Sequence, residues 1–351
     1  MKMIREKKQP ATLETFVDEL VAPHKFSRSS VRSPSIRTVK VVAPSTSANL
    51  GPGFDVFGLA HNAFQDTIEI EVTSHARRRV TVEVTGVDQH SISCEPSKNT
   101  AGLVAKHVAE RLPSGYGLLI HVKKGIPVGK GLGSSGASAA ACIFGLNRIM
   151  DLNLSNDQLI QLAAKGENAS AGSPHADNVA ASILGGFTIV QSYRPFCAIH
   201  LSPPKNLRIA LAVPEVLASE KKTRKARAML PRSITMDKMI HNIGHASSMV
   251  AGIVSGDIGL IGRGMVDVVA EPLRAKSLPC YAKVRKNALA AGAAGVAISG
   301  SGPTIMAIVD ERLTHAINVA KTMKEDFEAS GIECRALSCK PTGGVRFVKD
   351  G

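Results

Sequence analysis

The chain has 351 residues, 44% of them hydrophobic, and a formal net charge of +14. That length suits two domains of ordinary size, and with no Trp and only 4% aromatics the cores must be packed mainly by Ala, Val, Ile and Leu. The positive balance suits anionic ligands, but no aromatic interleaving, zinc-finger spacing or RNP pattern marks a specific nucleic-acid binder, and the longest small-apolar run, 288–300, is glycine-broken and too short to span a bilayer.

Residues 1–40 hold nine Lys/Arg against four Asp/Glu, and 27–35 read S-R-S-S-V-R-S-P-S. Residues 1–37 are therefore expected to form a disordered basic extension, with a short amphipathic helix near 13–21. Six cysteines are scattered without a C-x-x-C pair, and no secretory pattern opens the chain. Both features predict a reducing cytoplasm and no membrane association.

A strand is expected over 36–43. It runs into V-V-A-P-S-T-S-A-N-L-G-P-G-F-D-V-F-G-L-A, Val41 to Ala60, where Pro44, Gly51, Pro52 and Gly53 predict irregular backbone. Asn49 and Asp55 give that loop one amide and one carboxylate. They suit capture of a small polar ligand, or a turn that bonds its own backbone. Further strands are expected over 65–73, 79–85 and 116–123.

Next comes I-P-V-G-K-G-L-G-S-S-G-A-S, Ile126 to Ser138, opening a small-residue helix over 135–150. Gly129, Gly131 and Gly133 permit backbone that side chains forbid. A glycine-rich turn opening a helix offers free N–H groups and a positive dipole end to an anion, naturally a polyphosphate. The spacing is not G-x-x-x-x-G-K-[ST]. Gly131, Gly133 and Gly136 match G-x-G-x-x-G, but the stretch between Val122 and these glycines is too long for a dinucleotide-binding turn.

Ser155 and Gln158 form a capping box for a helix over 156–169. G-E-N-A-S-A-G-S-P-H-A-D-N-V-A, Gly166 to Ala180, leads into a helix over 175–184. Pro203 and Pro204 mark a hinge. A cationic stretch runs from Lys221 to Arg227. Long helices are then expected over 233–254 and 256–270, a helix over 280–291, strands over 294–299 and 304–309, a helix over 312–330 and a strand over 332–338. I-S-G-S-G-P-T-I-M-A-I, Ile298 to Ile308, is a tight turn between two apolar runs.

The P-x-G-x-G-L-G-S-S loop, the loop at 41–60 and the Gly-Ser-Gly-Pro turn, in that order, resemble the three motifs of the galactokinase, homoserine kinase, mevalonate kinase and phosphomevalonate kinase (GHMP) superfamily. The resemblance covers residues 38 to 348. It implies an α+β, two-domain GHMP kinase architecture: a ribosomal-protein-S5-domain-2-like N-terminal domain over 38–203, which binds ATP, and a ferredoxin-like C-terminal domain over 204–351. The first loop and the P-H-A-D-N string look most like the homoserine kinases. That likeness implies ATP-dependent phosphorylation of the hydroxyl of L-homoserine, with ATP and Mg²⁺, in a homodimer. The alternative is another GHMP small-molecule kinase of mevalonate or shikimate type.

By the same resemblance, Pro127, Val128, Gly129, Lys130, Gly131, Leu132, Gly133, Ser134 and Ser135 bind ATP. Ser135 and Glu167 hold the metal. Asn49, Asp55, His175, Asn178, Thr223, Arg227 and Arg274 bind the acceptor, with His175, Asn178 and Arg227 as the candidate catalytic residues. The residue types agree with such a ligand. A carboxylate favours the planar fork of Arg, and an ammonium needs an anion such as Asp55. Asp55 and Asp177 are the carboxylates nearby, and no strong general base stands out.

Overall fold

The computed structural model describes residues 37–74, 79–110, 112, 115–171, 175–216, 229–278 and 280–348. The basic extension, the helix expected near 13–21 and the cationic stretch with Thr223 and Arg227 lie outside these residues.

Two sheets organise the chain. β1 (Thr38–Ala48) pairs antiparallel with β2 (Phe57–Ser74). β3 (Val80–Gly86) lies parallel to β4 (Tyr116–Lys124), and β4 pairs antiparallel with β2. Alternation decides which face is inward. Ile68, Ile70 and Val72 of β2 and Leu118, Ile120 and Val122 of β4 are buried, while Glu71 and Lys123, on the opposite parity, are exposed.

Helix α1 (Thr100–Ala109), α2 (Ser134–Ile149), α3 (Asn156–Gly166), the single turn α4 (Asn168–Ala171) and α5 (Asp177–Leu184) follow. α2 lies directly on β1 and β2 and packs against α1, α3 and α5. Twelve of its sixteen residues are buried, which its Gly and Ala content permits. A Cβ on Gly145 would meet Ile70 Cδ1 at 2.7 Å. The hairpin of β5 (Phe187–Tyr193) and β6 (Phe196–Leu201) joins the start of β2.

The second sheet is built from β7 (Leu207–Pro214), β8 (Gly295–Ile298), β9 (Ile305–Asp310) and β10 (Cys334–Cys339), in the order β10-β7-β9-β8 and antiparallel throughout. Both its faces are covered. Ile209, Leu211 and Val213 of β7 join the large core shared with the first sheet. Ala210 and Ala212 join a separate core with residues of two later helices. Five helices lie between or beside these strands: α6 (Met236–Ser255), α7 (Ile258–Gly264), α8 (Glu271–Ala275), α9 (Tyr281–Ala290) and α10 (Ala316–Glu328). The chain end returns to the first sheet, where β11 (Arg346–Phe347) pairs with β1.

The elements form an α+β fold, and several boundaries depart from those expected. The strand expected over 65–73 begins at Phe57, because Gly58 to His61 pair with Ala48 to Ser45 of β1. β1 runs through Pro44 to Ala48, because the proline sits at a register shift between Pro44 and Ser45 where its missing N–H breaks no regular ladder. The helix expected over 256–270 stops at Gly264. There the Asp267 carboxylate accepts from the N–H groups of Val269, Ala270 and Glu271 at 2.7–2.9 Å and starts α8 afresh. α1 and the β5–β6 hairpin were not among the expected elements. Among the described residues no helix is long and apolar enough to cross a membrane, and all six cysteines are free.

Candidate active site

The three motifs meet at one place, and backbone geometry fixes the centre of it. Thr304 N–H donates to the Lys130 carbonyl at 3.3 Å, Ser299 Oγ to the Gly131 carbonyl at 2.6 Å, and Thr46 N–H to the Leu132 carbonyl at 3.1 Å. In a trans peptide the N–H points opposite to the C=O. Three consecutive carbonyls tied back to the first and third motifs therefore turn the N–H groups of Gly131, Leu132 and Gly133 to the other side. Gly131 and Gly133 are left-handed, with φ of 77° and 69°, and Leu132 between them is not. Such alternation gathers successive N–H groups into an anion-binding nest. Gly133 is also the N-cap of α2, so the positive end of that helix adds to the nest.

Glycine is required here for room as well as for dihedral angle. A Cβ on Gly131 would overlap the Ser299 carbonyl, and one on Gly133 would overlap Thr46 Oγ1. Gly129 is likewise left-handed at 69°. Val128 N–H is held by Asp88 Oδ2 at 2.9 Å, and Pro127 precedes it at the mouth of the loop.

Beneath the loop lies an ion pair that is out of solvent. Lys124 Nζ contacts Asp66 Oδ2 and donates to the Ser134 carbonyl at 2.8 Å and to Ser138 Oγ at 2.9 Å. Asp66 Oδ1 accepts from Gly125 and Ile126 N–H at 2.9 and 3.0 Å. This cluster pins the entry of the loop to the first turn of α2. Ser134 Oγ, expected at the nucleotide, donates instead to the Ile126 carbonyl at 2.9 Å and braces the loop from within. The Lys130 ammonium, expected at the phosphates, is also committed elsewhere. It donates to the Pro214 and Val216 carbonyls at 2.8 and 3.0 Å and pairs with Glu215 at 3.1 Å. A buried lysine at the end of β7 finds a carboxylate and two carbonyls there, which satisfies its charge.

Ser135, one residue further on, points the other way. Its Oγ donates to Glu167 Oε2 at 2.9 Å. Glu167 is 6% exposed, and burial pushes its carboxyl up to about 7 against the lowering effect of Ser135. A hydroxyl and a buried carboxylate are hard oxygen donors of the kind Mg²⁺ accepts. Among the described residues no cluster of three His, Cys, Asp or Glu could hold a metal alone. A divalent cation at this pair would therefore draw its other ligands from phosphate oxygens and water, which fits Mg²⁺.

Of the residues expected at the acceptor, Asn178 lies beside Gly133. Thr46 Oγ1 donates to Asn178 Oδ1 at 2.8 Å, and that oxygen would be 3.1 Å from a Cβ on Gly133. Asn178 N–H donates to Asp177 Oδ1 at 2.8 Å. His175 Nδ1 stands 3.8 Å from Asp55 Oδ1. Asn49 and Asp55 are both left-handed, at 59° and 57°, and Asn49 Oδ1 accepts from Asp55 N–H at 2.9 Å. The turn-bonding reading of Asn49 thus holds for its oxygen, and its Nδ2 donors are the part a ligand could use.

Arg274 enters from the second half of the chain. It is 8% exposed, stacks 4.9 Å over the Phe54 ring, and donates from Nη1 to the Gly300 carbonyl at 3.0 Å. Its Nε is buried with no hydrogen-bond partner among the described residues. Burial lowers its pKa, against the pull of Asp177 and Asp55. Burial, and then the nearby Asp55 charge, raise the Asp177 pKa. Carboxylates, an amide and a guanidinium thus converge beside an anion cradle.

Asp66, Lys124 and His61 are not among the residues the sequence motifs single out. For the first two a signal exists. Asp66 shares the inward parity of Ile68, Ile70 and Val72, and Lys124 that of Leu118, Ile120 and Val122. A charge on a buried parity calls for a partner. His61 carries no comparable local mark.

Comparison with known proteins bears on the chain as a whole. Residues 99–186 match the family described as GHMP kinases N terminal domain, and residues 249–329 match GHMP kinases C terminal. The chain is similar to a homoserine kinase of Methanococcus maripaludis, 41% identical over 291 residues that cover 83% of this chain and 93% of that one. The crystal structure of a homoserine kinase from Cytophaga hutchinsonii superposes with a TM-score of 0.81 at 32% identity, covering 91% of this chain and 100% of that one. L. major mevalonate kinase in complex with R-mevalonate superposes with a TM-score of 0.65 at 13% identity, covering 89% of this chain and 99% of that one. That likeness shows the fold alone.

Proposed function

The chain belongs to the GHMP kinase family, and from that premise we propose that it transfers the γ-phosphoryl group of ATP to the hydroxyl of L-homoserine, giving O-phospho-L-homoserine. The sequence relatives favour this acceptor over a mevalonate- or shikimate-type one, because the mevalonate kinase shares the fold at far lower identity.

The residues divide the work as follows. The N–H groups of Gly131, Leu132 and Gly133 and the start of α2 receive the phosphates. Ser135 and Glu167 hold Mg²⁺, which when bound neutralises charge on the phosphates. Arg274, with Arg227 and Thr223 by motif, takes the acceptor carboxylate, and Asp55 takes its ammonium, with His175 beside it. Asn178 and the Asn49 amide orient the acceptor hydroxyl. Asp177 sits behind Asn178 and fixes its backbone. Phosphoryl transfer needs little activation of the nucleophile, so positioning and charge stabilisation suffice without a strong base.

The observation that carries this reading is the placement of Asn178 against Gly133. It sets the group that orients the acceptor next to the cradle for the transferring phosphate. The test is a coupled ATPase assay with homoserine, mevalonate, shikimate and galactose. Turnover is expected with homoserine; turnover with mevalonate and none with homoserine overturns the assignment. In the same assay Asn178→Ala should lower kcat about a hundredfold and leave the KM for MgATP near wild type; unchanged kcat removes Asn178 from the site. A homodimer is the proposed assembly. The exposed apolar side chains of Met236, Ile240, Ile243 and Val254 on α6 are the surface a second copy would cover, and a monomeric mass in light scattering would reject it.

A further inference from the structure

One buried titratable group has no part in the chemistry above. His61, on β2, is wholly out of solvent, as are Ser45, Ser47 and Ser299. The β1–β2 register sets Ser45 opposite His61, and a bridge from His61 to Pro341 lies on its other side. The ring Nδ1 is 3.0 Å from Ser45 Oγ, and Nε2 is 3.2 Å from Ser47 Oγ. Ser47 Oγ is 2.8 Å from Ser299 Oγ, which is in turn 2.6 Å from the Gly131 carbonyl oxygen. A continuous line of polar atoms thus runs from β2, through the first and third motifs, to the phosphate loop.

Both ends of the line fix its sense. A carbonyl oxygen only accepts, so the single hydroxyl proton of Ser299 goes to Gly131. Were it given to Ser47 instead, two oxygens would face each other at 2.6 Å without a proton between them. Ser299 Oγ therefore accepts from the Ser47 hydroxyl. With its proton so used, Ser47 Oγ accepts from His61 Nε2–H. At the other end Phe64 N–H donates to Ser45 Oγ at 3.1 Å, and the Ser45 proton is shared between the Nδ1 lone pair and the His61 carbonyl, 3.0 Å away. Burial keeps the ring neutral, drawing its pKa down to about 3.

We propose that His61 is a positioning residue of the nucleotide loop. Held as the neutral Nε2–H tautomer, it aligns the Ser47 and Ser299 hydroxyls so that the Gly131 carbonyl is drawn inward and the Leu132 N–H is presented to the ATP phosphates. The inference rests on the reading of this loop as the ATP cradle. His61 touches no reacting atom; it acts through two hydroxyls and one peptide plane. The pull on Gly131 is one of three that shape the nest, so its loss should weaken nucleotide binding without removing it.

Two experiments test it. ¹⁵N NMR of the full chain without ligand should show the His61 ring protonated at Nε2 and bare at Nδ1 across about pH 5 to 8. A protonated Nδ1 or a titrating ring overturns the assignment. In steady-state kinetics Ser299→Ala and His61→Asn, which loses the Nε2–H donor, should each raise the KM for MgATP about five- to tenfold and leave that for homoserine within about twofold. His61→Gln, whose amide N–H stands in for Nε2–H, should recover most of the loss. Unchanged MgATP affinity in Ser299→Ala, equal loss in both His61 variants, or equal rises in both KM values would each overturn it. Should the His61 variants fail to fold, Ser299→Ala and the tautomer decide the matter. A wild-type chain that binds no MgATP would instead reject the kinase reading, whereas the tautomer measurement judges the hydroxyl chain by itself.

Discussion

On the proposed nucleotide side of the site, the groups on offer are those of the main chain. The carbonyls of Lys130, Gly131 and Leu132 are each anchored by a neighbouring motif, and the side chains with charge, Lys124 and Lys130, are spent on Asp66 and on the end of β7. On the proposed acceptor side, polar and charged side chains are what the site offers. Asp55, His175, Asp177, Asn178 and Arg274 gather there, and two non-glycine residues, Asn49 and Asp55, are held in left-handed backbone. The contrast follows from the ligands. Every nucleotide triphosphate presents the same anion, which a rigid row of N–H groups can meet without side-chain charge. An acceptor must be told apart from its analogues, and opposed charges placed at fixed positions do that. The nucleotide side should therefore be intolerant of backbone change, and the acceptor side intolerant of change in charge or shape.

The sharpest way to break this contrast is to change one backbone position and no functional group. Gly131→Ala adds a single methyl group at φ 77°, where it would overlap the Ser299 carbonyl. The loop must shift, and the three N–H groups lose their common direction. The expected result is a fall in kcat/KM for MgATP of at least about a hundredfold, with the KM for homoserine within about threefold. Near-normal MgATP kinetics would mean that the loop backbone is not the cradle.

On the other wall the comparable change keeps charge and alters shape. Arg274→Lys retains a cation but loses the planar fork, the stack over Phe54 and the bond to the Gly300 carbonyl. The KM for homoserine should rise about tenfold or more, and that for MgATP should stay near wild type. Equal rises for both substrates would mean that Arg274 supports the whole cleft rather than the acceptor.

Much of this was legible in the sequence, for reasons that differ by residue. The loop from Gly129 to Ser135 is readable because glycine, hydroxyl and helix start are adjacent in the chain, and the chemistry of an anion cradle is local. The Asp66–Lys124 pair is readable in principle from strand parity. The destination of Lys130 is not, because Pro214, Glu215 and Val216 come to it only through the packing of β7. The same holds for His61, whose partners Ser45, Ser47 and Ser299 span both sheets. The break at Gly264 is not legible either, because an apolar run predicts a continued helix, while a single Asp267 carboxylate can recapture the chain for a new one. Long-range polar contacts leave no periodic trace, and they decide the orientation of most of the site.

The smallest expected effect lies behind the acceptor wall. Glu271 shares α8 with Arg274, but its carboxyl points into the fold. There Tyr281 Oη donates to Oε1 at 2.6 Å and Ile298 N–H reaches Oε2 at 3.4 Å. Burial is the main cause that pushes this carboxyl up to about 7, against the lowering effect of Tyr281, whereas in the unfolded chain it titrates near the ordinary Glu value of about 4.3. The folded state thus binds the proton more tightly than the unfolded one. Its contribution to stability is complete below about pH 4 and is lost as the pH rises through about 7. Glu271→Gln keeps the shape and the acceptor oxygen but cannot ionise. Its Tm should match the wild type near about pH 4 and exceed it by about 2–4 °C near about pH 8, with kcat and both KM values within about twofold, since the carboxyl is taken up by Tyr281 and Ile298. A Tm difference that does not vary with pH would show that the carboxyl is not held protonated by burial, and a raised KM for homoserine would show that α8 carries its charge to the acceptor from both of its faces.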